Sequence, residues 1–153
     1  GDVVSKVTCA EKYVLEGIMQ EKNGSMSEVR IIVMGSRDFK YYAVISKTLD
    51  NFISKLPADK KVVLVSGTCP GADMYGERYA YEHDIEVREF PVEKEVHGPT
   101  AVKVRNNRMA NYATADGAMG VLFAFWNGKS SGTRDMLKKA KEHGMIVHKY
   151  IVE

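Results

Sequence analysis

Two arginines three residues apart, in Arg105-Asn106-Asn107-Arg108, and three short runs of glycine and hydroxyl residues carry the chemistry this sequence can offer. Residues at i and i+3 share a helix face, so Arg105 and Arg108 are expected to aim at one anion. Asn106 lies beside them, and Lys103 extends the basic character. The first run is Gly35-Ser36-Arg37, where Arg37 suits bidentate contact with phosphate and Asp38 either caps a helix or orients the arginine. The second is Ser66-Gly67-Thr68-Cys69-Pro70-Gly71-Ala72-Asp73. Its glycines turn backbone donors outward, and Asp73 is either a dipole-favoured cap or an acid that accepts sugar hydroxyls. The third is Asn127-Gly128-Lys129-Ser130-Ser131-Gly132-Thr133, followed by Arg134. Gly128 and Gly132 permit close approach of backbone to a ligand. Ser130, Ser131 and Thr133 supply hydroxyls, one of which is expected to cap the next helix. The ordinary alternatives are an unliganded turn, a serine cap and solvated arginines.

These groups need elements to hold them. Apolar runs at 29–34, 61–66 and 121–126 read as buried strands, 86–90 alternates like an edge strand, and 145–151 completes five. Helical stripes fall between them: Ile45, Leu49, Phe52 and Ile53 within 42–55, Tyr75, Tyr79 and Ala80 in the next, a basic helix over 101–113, and Met136, Leu137 and Ala140 within 134–143. Residues 91–99 read as a polar loop. Strands alternating with helices predict an α/β, Rossmann-like three-layer sandwich around a mainly parallel five-stranded sheet in the order 3-2-1-4-5. The chain reverses between strands 1 and 4 in that order, and ligands bind outside the carboxyl ends of strands at such a point. Gly35-Ser36-Arg37 is thereby expected to face 127–133 across one crevice. Trp126, at the end of strand 4, is a candidate to stack on a base.

The chain has 153 residues, 44% apolar and 27% charged, with net charge +2. That predicts one globular domain, and any anion site must be local rather than a whole-molecule field. No apolar run reaches membrane-spanning length, so no membrane partner is expected. Cys9 and Cys69 make no disulfide framework, which points to a reducing cytoplasm. The scattered histidines His83, His97, His143 and His148 lack metal-ligand spacing, and no metal is expected. Residues 26–153 read as the domain. Residues 1–25 read as an N-terminal extension or appendage, either native and packing on the domain or a partner, or partly of engineered origin, with a short strand around Val3, Val4 and Val7 and a helical stripe at Ala10, Tyr13, Val14, Gly17 and Ile18.

In order, Gly35-Ser36-Arg37-Asp38-Phe39, the Ser66 to Asp73 run, Arg105-Asn106-x-Arg108-Met109 and the turn ending Gly132-Thr133-x-x-Met136 resemble the YspA-like branch of the SLOG superfamily over 29–152. That superfamily also contains the LOG phosphoribohydrolases and the DNA-processing protein A. The resemblance implies a Rossmann-like domain that binds a nucleotide or nucleotide-derived ligand and needs no further cofactor. It would place Gly35, Ser36, Arg37, Gly67, Gly71, Asp73, Arg105, Asn106, Gly132 and Thr133 around that ligand, and it allows a self-associating dimer. LOG enzymes carry a catalytic glutamate where this chain has Met136, and a thioether cannot serve as an acid or base. Binding or sensing of a mononucleotide, ADP-ribose or a signalling nucleotide is therefore the leading expectation. Glycosidic-bond hydrolysis or transfer, with Asp73 or Asp135 replacing the glutamate, is the first alternative; single-stranded nucleic-acid binding is the second.

Overall fold

The computed structural model describes residues 4–7 and 28–152, and the helical stripe expected between Ala10 and Ile18 lies outside the described residues. The described residues form six strands: β1 (Val4–Val7), β2 (Glu28–Gly35), β3 (Lys61–Ser66), β4 (Glu86–Glu89), β5 (Met119–Trp126) and β6 (Ile146–Val152). The longer helices are α1 (Tyr42–Ser54), α2 (Ala72–Glu82), α3 (Ala101–Thr114) and α4 (Ser131–Glu142). The sheet order is β1-β6-β5-β2-β3-β4. β2 through β6 are mutually parallel and reproduce the order 3-2-1-4-5 expected for five strands. The remaining strand, β1, lies where a short strand is expected around Val3, Val4 and Val7, and pairs antiparallel with β6.

The layers follow from alternation along the central strands. Ile31, Val33, Val121, Phe123 and Phe125 turn to one face, where they pack with Ile45, Leu49 and Phe52 of α1 and Tyr79 and Ala80 of α2. Ile32, Met34, Leu122 and Ala124 turn to the other, against Met109, Ala110 and Ala113 of α3 and Met136 and Ala140 of α4. Because both faces are covered, the strands read as continuous apolar runs rather than as alternating ones. Full burial of each large side chain contributes about 1.5–3 kcal/mol, so the alternation fixes which face of each strand meets which helix layer.

Most boundaries fall within a residue of the expected ones, and three differ by more. β5 begins at Met119, two residues before the expected start. The loop at 91–99 holds a helical turn, Lys94–His97, and the beginning of a 3-10 turn, Gly98–Thr100. α4 begins at Ser131 rather than at 134, so Ser131, Gly132 and Thr133 form the first helical turn instead of a loop. Burial of Thr133 and Met136 against the sheet overrides the weak helix propensity of Gly132.

Candidate functional site

β2, β3 and β5 deliver three loops to one end of the sheet. Gly35 is forced by contact: a Cβ there would lie 2.2 Å from the Phe125 carbonyl oxygen. Gly71 combines φ +89° with a would-be Cβ 2.5 Å from the Ser36 carbonyl oxygen, so the 66–73 loop presses on the 35–37 loop. These glycines thus serve close packing of protein on protein. The serines are spent similarly. Ser36 is buried, and its Oγ accepts the Asn127 N–H at 3.2 Å, tying the first loop to the third. Ser66 is fully buried; its hydroxyl donates to Glu77 Oε2 at 2.7 Å and accepts the Thr68 N–H at 3.0 Å. Burial pushes the Glu77 carboxyl above its usual range, and neighbouring Glu89 adds to the shift.

Between these loops and the start of α3 lies a cleft of about 350 Å³. Its wall includes Gly35, Arg37, Cys69, Asp73, Lys103 and Arg105, and on the far side Ser130, Ser131, Gly132, Thr133 and Asp135. The facing arrangement expected for Gly35-Ser36-Arg37 and the 127–133 stretch is present. In the third loop, Asn127 Oδ1 accepts the backbone N–H groups of Lys129 and Ser130 at 2.8 and 2.9 Å. Gly128 supplies a positive φ of 80°. Ser130 occupies the N-cap position of α4, yet no side chain caps the helix, contrary to the expected serine cap. The first-turn amides and the positive end of the helix dipole are therefore open toward the cleft. Trp126 is turned elsewhere: its Nε1 donates to the Ser130 carbonyl at 3.0 Å, and the Arg134 guanidinium lies 5.5 Å from its ring centre.

The cations divide into two kinds. Arg37 and Lys103 are exposed at the rim and carry no ion pair among the described residues. Arg105 is buried and committed: Nη1 donates to the Gly67 carbonyl at 2.7 Å and Nε to Asn106 Oδ1 at 2.9 Å. Arg108, expected to join it, does not line the cleft; it is exposed and pairs with Glu93. The i, i+3 spacing allowed a common face, but α3 buries the stripe Ala101, Arg105, Asn106 and Met109, which leaves Arg108 at its flank. Periodicity could have found one wall residue that was overlooked: Val102 sits one turn before Arg105 and Asn106 and also lines the cleft.

The acids divide too. Asp135 holds Lys139 Nζ at 2.8 and 2.9 Å and accepts a 3.0 Å hydrogen bond from Asn106 Nδ2, which also donates to the Gly132 carbonyl. Asp73 is 1% exposed, and the hydrogen bond it receives from the Cys69 N–H is long, 3.4 Å. It is not the N-cap of α2, a place held by Gly71. Burial raises the Asp73 carboxyl to about 7, against the opposing pull of the Arg105 charge and of the backbone amides of Cys69, Asp73 and Gly35. Met136, at the position of the LOG glutamate, is fully buried in the core beneath α4 and does not line the cleft.

Fold and crevice define a Rossmann-like α/β protein whose loops converge at the switch between β2 and β5. Residues 29–97, spanning β2 to the helical turn before α3, match the model of the YAcAr family, described as the YspA, cpYpsA-related SLOG family. That match agrees with the resemblance read from the motifs, and it stops before the Arg105-Asn106 and Gly132-Thr133 motifs. No curated protein and no solved structure matches the chain.

Proposed function

We propose that the cleft binds a nucleotide or nucleotide-derived ligand, with its phosphate held at the start of α4, and that the protein acts as a binding or sensing domain. The observation that carries this reading is the uncapped first turn of α4 at Ser130 to Thr133, facing the exposed cations Arg37 and Lys103 across the cleft. Open amides and a helix dipole favour an anion there, and two rim cations reinforce them. The SLOG match over 29–97 is in keeping with a nucleotide-related ligand. Hydrolysis by the LOG route is disfavoured on chemical grounds. The fully buried Met136 offers no base, and Asp135 is held by Lys139 and Asn106.

Thermal shift against inorganic pyrophosphate and a panel of mononucleotides, ADP-ribose and cyclic dinucleotides tests the reading. A ligand at one hundred times its dissociation constant stabilises by about 2.7 kcal/mol, a shift of several degrees for a domain of this size. No shift at millimolar concentration for any of these compounds would overturn it.

A further inference from the structure

Among the described residues, Asp73 is the one cleft-lining group with a buried side-chain atom that meets no hydrogen-bond partner. Its Oδ2 is turned toward the second loop, where the Cys69 N–H reaches it at 3.4 Å and where a Cβ on Gly67 would come within 2.8 Å. Its Oδ1 is buried and meets no donor in hydrogen-bond geometry among the described residues. Buried carboxylates are normally satisfied twice over, by a cation in contact or by two or three donors. Asp135, on the opposite wall, is satisfied in that way by Lys139 and Asn106. The orphaned oxygen marks a place built for a partner the chain does not itself provide.

Resting on the reading of the cleft as a nucleotide site, we propose that Asp73 is its sugar-reading group. Oδ1 takes a ribose hydroxyl of a ligand whose phosphate lies at the first turn of α4, and the site is thereby selective for ribonucleotides over their deoxy counterparts. Three observations converge on this. Asp73 and the α4 first turn line the same cleft from opposite walls. A cleft of about 350 Å³ is of the size that small-molecule ligands occupy. An additional phosphate is a poor occupant beside a carboxylate, whereas a neutral hydroxyl can donate to the charged form or accept from the protonated one. With the carboxyl poised near neutrality, both forms are accessible.

Discrimination of this kind is large when a buried polar group loses its only partner. Isothermal titration of the wild-type chain with AMP, 2′-deoxy-AMP, 3′-deoxy-AMP and inorganic pyrophosphate reads it directly. The expected result is that at least one deoxy compound binds about tenfold or more weakly than AMP, a difference of about 1.4 kcal/mol. In Asp73→Asn that preference should shrink to less than about threefold, while pyrophosphate affinity is kept or rises with loss of the negative charge. A purely structural role for Asp73 would instead weaken all four ligands together. Equal binding of AMP and both deoxy forms by the wild type overturns the proposal and leaves the phosphate site standing. A folded Asp73→Asn protein that retains the preference overturns it as well. If the variant does not fold, the wild-type ratio alone decides. If neither pyrophosphate nor any nucleotide binds, the reading of the cleft as a nucleotide site falls, and this proposal falls with it.

Discussion

Asp73 and Asp135 are two carboxylates on the walls of one cleft, and they differ in almost everything but that. Asp135 lies on the second turn-edge of α4, partly exposed, with Lys139 one helical turn away and the Asn106 amide pressed against it. Asp73 lies in the first turn of α2, buried in the cleft wall, near the Arg105 guanidinium but without an ion pair to it among the described residues. One acid is fully employed by the fold, and the other costs the fold something. The lesson is that proximity to a cleft does not make an acid available; its partners decide that. Arg105 shows the same rule among the cations, since its donors serve Gly67 and Asn106 while Arg37 and Lys103 remain open at the rim.

The hardest test of this contrast adds a third acid. Met136→Glu restores the residue type of the LOG enzymes but places a carboxyl at a position 0% exposed, inside the cluster with Met34 and Leu122. It should cost more than about 4 kcal/mol in denaturant melts, or abolish folding, and yield no release of free base from AMP. A stable, active Met136→Glu protein would show that the helix can turn this position toward the cleft. Next in size is Arg105→Met, which leaves the Gly67 carbonyl without its donor and takes the balancing charge from Asp73. About 3 kcal/mol should be lost at neutral pH, with the Asp73 carboxyl displaced further upward.

Asp73 should also show itself in the pH dependence of stability. The folded-state value of Asp73, about 7, lies above its ordinary 3.8, so the native state holds a proton that the unfolded chain has released. Stability therefore falls as pH rises from about 4 to about 7, by on the order of 2–4 kcal/mol for this group. Asp73→Asn should remove that part of the slope in melts taken across the window, and an unchanged slope would mean that another group titrates there. The smallest effect is expected from Asp135→Asn. It weakens the partly exposed Lys139 pair and leaves an amide beside Asn106, and should cost about 1 kcal/mol or less in denaturant melts.

How much of this was legible beforehand depends on what each residue faces. The parallel strands and their order could be read because apolar runs such as 121–126 and helical stripes such as Ile45, Leu49 and Phe52 report burial directly. The facing of Arg37 and Gly132 followed from strand order alone. What escaped was set by distant partners. Ser130, Ser131 and Gly132 are turn-like residues in any local reading, and only the burial of Thr133 and Met136 draws two of them into α4. The inward commitment of Ser36 and Ser66 depends on Asn127, which is 91 residues from Ser36, and on Glu77 across the α2 interface. Arg108 could be placed on a face shared with Arg105, but not on which side of that face the cleft would lie. The orphaned oxygen of Asp73 is the extreme case, since it is defined by a neighbour that no local pattern announces.

β1 carries a consequence of another kind. An unpaired edge exposes a row of backbone donors and acceptors to any passing strand, and proteins blunt such edges with brevity, charge or cover. β4, at one edge, is four residues long and reads Glu-Val-Arg-Glu. At the other side β6 is seven residues long, reads Ile-Val-His-Lys-Tyr-Ile-Val, and is covered by β1. β1 thus replaces a seven-residue edge with one of four residues, and a variant lacking Val4–Val7 is expected to expose β6 and to aggregate more readily.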